Sequence, residues 1–434
     1  MTEGFRQKFV KTLALFLPGI FLLGFNLGTG SVTAMAKAGA EYGMAMLWAI
    51  IASCLCTFFM INIYSRYTMV TGETALQAFK KHIHPGVGIY FIMALAFGVC
   101  GSVMGVMGIV ADVSSEWSKT MVKGGIAPIY FAALFSALVF FIFWNGKTQF
   151  FERSLAVIVA IMSVCFLLNF FILMPPPGDM LKGLIPSIPK VKPEADVGPF
   201  LALAALVGTT VYSGLFIIRT TLVKEAGWTL ADEKTQRNDA VVSVSLMFII
   251  SAAIMAAAAG TLFIAGESLK EAYQMIDLLK PLAGSFAVGL FAVGIIAAGV
   301  SSQLPNVLLL PWLICDYKET DRDMTLSKYR IMVFFISLLG LVVPLFGGRP
   351  VLVMLISQSF NVIILPVTVL CIFYLSNRAD LMGEHKNNLR SNIILGAIFL
   401  FSLVIAYIAL KGLEKKIAEV DWASNPILIS LGLV

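Results

Sequence analysis

Charge is scarce in this chain. Asp, Glu, Lys and Arg make up 13% of its 434 residues, 59% are hydrophobic, and the mean hydropathy is +0.90. A soluble globular domain carries about 25% charged residues, so that class is excluded. Carboxylates are missing from the middle of every long apolar run: Glu41, Asp112, Glu116, Glu152, Asp239 and Asp316 all fall toward the ends. Intramembrane carboxylates are the usual proton relays, and their lack weakens a simple proton-coupling scheme. Histidine occurs only at His82, His84 and His385, each in a polar connection. The His82-Ile83-His84 spacing admits a metal contact, yet its surroundings fit a solvated loop. Cys54, Cys56, Cys100, Cys165, Cys315 and Cys371 lie in or beside apolar runs. They read as small buried hydrophobes, neither disulfides nor metal ligands. No nucleophile–base pair or acid pair is visible, so neither an enzyme nor a cofactor is expected. Nucleic acid is not an expected partner either.

What the chain has is length of apolar sequence. Runs longer than the roughly 20 residues that cross about 30 Å of hydrocarbon recur throughout, so the expected fold is an all-α polytopic membrane protein. Eleven spans are predicted, at about 12–40, 42–65, 86–112, 126–145, 151–174, 198–223, 240–265, 283–315, 329–347, 351–376 and 392–411. Met1 to Lys11 is polar and basic and leads into a long apolar segment, which does not suit a cleavable signal peptide. With the N-terminus inside, the inner segments hold 19 Lys and Arg and the outer segments 12. The positive-inside bias therefore predicts a cytoplasmic N-terminus and an external C-terminus, in the plasma (inner) membrane.

The stretch from Leu17-Pro18-Gly19 to Trp48 organises the rest. Its apolar run stops at Gly28-Thr29-Gly30-Ser31 and then resumes. Gly28 and Gly30 tolerate φ > 0, and Ser31 is a natural cap for a helix restarting at Val32. Span 6 has its own interruption, Gly208-Thr209-Thr210-Val211-Tyr212-Ser213-Gly214. Irregular backbone at membrane depth survives only inside protein or beside a cavity. Two breaks five spans apart predict two repeats of opposite orientation with a binding site between them. The expected organisation is a first repeat over 1–175, an extracellular loop over 176–197, a second repeat over 198–378, and an eleventh span with its tail over 379–434.

Both half-helices that follow the breaks would aim their N-termini, and so their positive dipole ends, at one cavity. The candidate substrate-binding residues are Gly28, Thr29, Gly30 and Ser31 from span 1 and Thr209, Tyr212, Ser213 and Gly214 from span 6. Gln303 from span 8 and Gln358 and Asn361 from span 10 complete the set. Asn26, Ser102, Ser301, Ser302 and Asn306 are further polar groups in these spans. Such a lining suits a carboxylate, a zwitterion or a neutral polar solute better than a bare dication, which wants anionic oxygens. Arg219, beyond the second break, either reaches the vestibule or snorkels to the inner interface.

Together these residues resemble the NRAMP family of divalent-metal transporters, and through it the LeuT-type fold. Pro18, Ala40-Glu41-Tyr42-Gly43 and Leu47-Trp48 look like the family's first span and its run into the second. Val207-Gly208-Thr209-Thr210-Val211, Ala272-Tyr273-Gln274, Ala298-Gly299-Val300-Ser301-Ser302 and Ser357-Gln358 with Pro366 resemble spans 6 to 10. The resemblance implies two inverted five-helix repeats plus one extra helix, and secondary active transport of a divalent metal ion. The family's Asp-Pro-Gly-Asn motif falls on Gly28-Thr29-Gly30-Ser31, and its Met-Pro-His on Tyr212, Ser213 and Gly214. Its third-span acids fall on Ser102 and Gly105, and a second sixth-span His on Arg219. No metal ligand is therefore assigned, and Mn or Fe is not the expected substrate. A small carboxylate, an amino acid or a neutral polar solute is the alternative. A non-transporting sensor is the second alternative, against which the breaks, the polar lining and the short loops weigh.

Overall fold

The computed structural model describes residues 28–144, 176–190, 195–274 and 280–418. Its helices in chain order are α1 (Thr29–Tyr42), α2 (Leu47–Thr71), α3 (Ala75–Ala78), α4 (Pro85–Ser118), α5 (Pro128–Trp144), α6 (Pro177–Lys182), α7 (Pro199–Thr210) and α8 (Ser213–Glu225). They continue as α9 (Glu233–Ala258), α10 (Lys280–Lys318), α11 (Ser327–Leu338), α12 (Val342–Phe346), α13 (Pro350–Asn377), α14 (Ala379–Met382) and α15 (Leu389–Ala418).

Local chemistry sets these boundaries. Pro85, Pro199 and Pro350 open α4, α7 and α13 in the first turn, where a missing N–H costs nothing. Gly72 ends α2 in the left-handed region, φ 69°, its N–H bonded to the Thr68 carbonyl. Thr74 and Gln77 form a reciprocal capping box at α3.

Eight helices among the described residues are long and apolar enough to cross a membrane, and Pro128–Trp144 is a shorter apolar one. The predicted fifth span, 151–174, and residues 12–27 of the first lie outside the described residues. The Pro199–Glu225 span is wholly enclosed by other helices, whereas Leu389–Ala418 leaves most of its surface facing outward. That contrast separates the core from the lipid-facing shell. At the centre, α1, α4, α7, α10 and α13 pack on one another, and buried polar side chains gather among them.

Five of the six cysteines are described, and all five are free thiols. His82 bonds Glu73 at 2.8 Å, and the His84 ring accepts from the Gly86 N–H at 3.0 Å. Both therefore serve loop and cap geometry. Among the described residues no group of three His, Cys, Asp or Glu could hold a metal ion.

Arg219 takes neither expected position. It is fully buried in α8 and pairs with Asp239 of α9 at 2.6 Å. Its Nε donates to Ser65 at 3.1 Å, and the guanidinium lies over the Trp228 ring. Desolvating a lone guanidinium costs several kcal/mol, so a buried Asp partner one helix away wins over snorkelling. At the opposite end of the bundle, Lys37 and Glu41 of α1 form a buried pair at 2.6 Å, joined by Asp196, which also binds Arg349 at 2.8 Å.

Candidate functional site

The second break falls where it was expected. α7 ends at Thr210, α8 starts at Ser213, and Val211 (φ −103°, ψ 72°) and Tyr212 (φ −97°, ψ 121°) leave the helix between them. The orphaned backbone is satisfied locally. Thr57 of α2 donates to the Thr210 carbonyl at 2.8 Å, and Leu215 N–H to the Tyr212 carbonyl at 3.0 Å. Each buried group left unpaired there would cost about 1–3 kcal/mol, which is why a hydroxyl sits opposite the break.

On the first span the described helix begins at Thr29, with Gly28 as an extended N-cap residue, φ −83°. Two expectations change here. Ser31 is not a cap: it lies inside α1 and its Oγ is 2.7 Å from Thr209 Oγ1, tying the first span to the sixth. Gly28 and Gly30 do not use positive φ. They are glycines because neighbours come too close for a β-carbon. A Cβ on Gly28 would fall within the Ser302 side chain, and one on Gly30 would stand 2.7 Å from Gln358 Nε2 and 3.2 Å from Met354 Sδ.

These residues line a cavity of about 30 Å³ between the start of α1 and the break in the sixth span. A water needs roughly 10–15 Å³ by the same measure, so the chamber holds two or three. Its wall includes Gly28, Gly30 and Ser31 of the first span, Thr209 and Tyr212 of the sixth, and Gln358 and Asn361 of α13. Asn361 Nδ2 donates to Gln358 Oε1 at 3.2 Å, while Asn361 Oδ1 is buried and unbonded. Four predicted residues stand outside the wall. Ser213 is spent on Thr368 at 2.7 Å. Gly214 lies beneath the Tyr212 ring. Thr29 and Gln303 are fully buried without reaching the cavity lining, and both ends of the Gln303 amide lack a partner.

The wall also contains residues outside the predicted set: Gly98, Val99, Ser102 and Val106 of α4, and Ser302 and Asn306 of α10. Asn306 Nδ2 donates to Ser102 Oγ at 3.1 Å. Their signal was available. Positions 98, 102 and 106 recur at helical spacing on one face of α4, and Asn306 follows Ser302 by one turn. Among the described lining residues none is ionisable at neutral pH. The chamber offers hydroxyls, amides and the N-terminus of α1. These favour an electronegative group and offer a cation only neutral oxygens.

A polar chamber between the start of α1 and the Val211–Tyr212 interruption of the sixth span, among the described helices of a membrane bundle, belongs to a LeuT-type membrane protein. The profile described as "Natural resistance-associated macrophage protein-like" matches residues 20–411. The chain belongs to that NRAMP family, whose members are transporters. It is 21% identical over 92% of its length to natural resistance-associated macrophage protein 2 homolog of Dictyostelium discoideum, covering 64% of that protein. With the divalent metal cation transporter MntH of Mycobacterium leprae it shares 22% identity, over 87% of this chain and 88% of that one. The crystal structure of the Eremococcus coleocola manganese transporter in complex with an aromatic bis-isothiourea compound aligns with a TM-score of 0.72 at 16% identity. That alignment covers 98% of this chain and 92% of that chain.

Proposed function

We propose that this chain is a secondary active transporter whose substrate is gripped by neutral oxygens, amides and the N-terminus of α1. On this reading the substrate is a small solute presenting a carboxylate or another acceptor group, and Mn²⁺ and Fe²⁺ bind weakly. The observation that carries it is the wall of the chamber: Ser31, Thr209, Tyr212, Gln358 and Asn361 converge there, and no ionised side chain joins them among the described residues. A bare divalent ion in such a site would lose its water to uncharged donors alone.

A second reading, a divalent cation carried with part of its hydration shell, is supported by the metal-transporting relatives and by the small chamber. A chamber of two or three waters suits one ion or a solute of few heavy atoms. Melting of the purified protein against a panel of Mn²⁺, Fe²⁺, amino acids and small organic acids separates the two. Stabilisation by an organic acid or amino acid and none by Mn²⁺ supports the first. Tight Mn²⁺ binding by calorimetry that is lost on Gln358→Ala refutes it. The proposed setting is the plasma (inner) membrane with the N-terminus cytoplasmic and the C-terminus outside, as the 19 to 12 division of basic residues supports.

A further inference from the structure

An apolar groove of about 680 Å³ runs between α2 and α9, far from the polar chamber in chemistry. Leu55 and Phe58 line one side, and Val241, Val244 and Phe248 the other. Its volume falls in the roughly 300–1,000 Å³ range of cavities that hold organic ligands. The groove opens outward, with Leu55 54% and Val241 46% exposed. Apolar exposure within a span asks for nothing beyond bulk lipid. Charge at one end of the groove asks for more.

Leu55 and Arg66 are eleven residues apart on α2, as are Phe248 and Arg237 on α9. Eleven residues make about three full helical turns and about 16 Å of rise, so each arginine shares a face with the groove residue it follows. Lys234 lies seven residues, or about two turns, from Val241. Ser65, near the end of α2, and Asp239, near the start of α9, both bind Arg219, and α2 also touches the Leu230–Asp232 turn that precedes α9. The two helices are therefore antiparallel, and Arg66, Lys234 and Arg237 come to the same end of the groove. Among the described residues no carboxylate pairs with any of the three. Nearby acids are engaged elsewhere, Asp239 by Arg219 and Glu225 by Arg322. Glu233, one turn from Arg237, does not pair with it.

We propose that this groove binds an anionic phospholipid, with one acyl chain laid between α2 and α9 and the headgroup phosphate among Arg66, Lys234 and Arg237. The depth matches: half of a bilayer's hydrocarbon is about 15 Å, which puts phosphates level with the two arginines when chain ends reach Leu55 and Phe248. A partner helix would have to bring carboxylates to that same level, whereas an acidic bilayer supplies phosphate there at every position. Unpaired basic residues at the end of an interhelical recess are the chemistry that selects acidic lipid headgroups.

The test is melting of delipidated protein titrated with palmitoyl-oleoyl-phosphatidylglycerol, palmitoyl-oleoyl-phosphatidylcholine or water-soluble glycerol phosphate. Three proteins are compared: wild type, Arg66→Gln/Arg237→Gln, and Leu55→Trp, which fills the groove. The expected result is stabilisation of wild type by phosphatidylglycerol alone. Each arginine lost should weaken apparent affinity about fivefold, and both about thirtyfold. Leu55→Trp should weaken it as well with both arginines in place. All these residues are at least partly exposed, so the variants should fold. Equal stabilisation by phosphatidylcholine, or an undiminished response in the double variant, overturns the proposal. So does glycerol phosphate matching the lipid while Leu55→Trp changes nothing, because the site would then be one for free phosphate.

Discussion

Replacing Gly30 tests the central chamber most directly. A β-carbon at this position meets Gln358 Nε2 at 2.7 Å and Met354 Sδ at 3.2 Å, both far ends of flexible side chains. Gly30→Ala therefore displaces an amide and a thioether, without touching backbone. Overpacking of this kind costs about 1–3 kcal/mol. Gly30 sits inside α1 with negative φ, so gaining a β-carbon returns about 0.5–1 kcal/mol of helix propensity. The net loss of stability for Gly30→Ala is then about 0–2.5 kcal/mol. Gly30→Val adds two methyl groups on the same side, into a chamber of only about 30 Å³. On the proposed function they would occupy the space of the substrate, and they would push Gln358 off its bond to Asn361. Expected outcomes are partial transport by Gly30→Ala and none by Gly30→Val, with both proteins extracted as monodisperse material melting close to wild type. The assay is uptake into proteoliposomes of whichever compound stabilises the purified protein. Normal uptake by Gly30→Val would show that the chamber between α1 and the break in the sixth span is not the transport site.

Three further outcomes are expected. Lys37→Met strands Glu41 in a buried setting, Asp196 keeping Arg349, and should cost about 3–5 kcal/mol, most of it recovered in Lys37→Met/Glu41→Gln; a single variant that melts like wild type refutes the pairing. Burial alone would raise the Asp196 carboxyl, but Lys37 and Arg349 outweigh it and hold it below the usual carboxylate range. A depressed carboxyl contributes stability that is present above its unfolded value of about 3.9 and lost as pH falls through the folded one, so melting should drop in acid, and less steeply in Asp196→Asn. Last, Gly28→Asp/Tyr212→Met with Ser302→Gly, the third change making room for the new β-carbon, should raise Mn²⁺ affinity at least about tenfold by calorimetry, or about 1.4 kcal/mol; no gain means the scaffold does not present these positions to a cation.

Much of this was legible in residue type and spacing. Span 6 declared its break because Thr210 to Gly214 combines helix-tolerant and helix-leaving residues in an otherwise apolar run, and the chain leaves the helix at Val211 and Tyr212. Ser31 reads locally as a cap because Ser is a favoured N-cap residue, yet the N-cap of α1 is Gly28. What decides its role is Thr209, 178 residues away, and no local pattern encodes that meeting. The glycines were recognised for conformational freedom, whereas their use here is proximity: Gly208 too would drive a β-carbon into the Gln358 backbone. Arg219 was ambiguous for the same reason, since its fate depends on Asp239 on another helix. The wall from α4 was readable in the 98, 102, 106 spacing but was overshadowed by the more polar spans.

The chamber's small size has a consequence for how solutes are sorted. Anything that enters a space of two or three waters leaves nearly all of its hydration behind, so entry is governed by the cost of drying. That cost climbs with charge density, steeply for compact divalent ions. Serine, threonine, tyrosine and amide groups return only part of it. On the proposed function, a site built this way would work as a dehydration filter, discriminating first by how firmly a solute holds its water, and only then by shape.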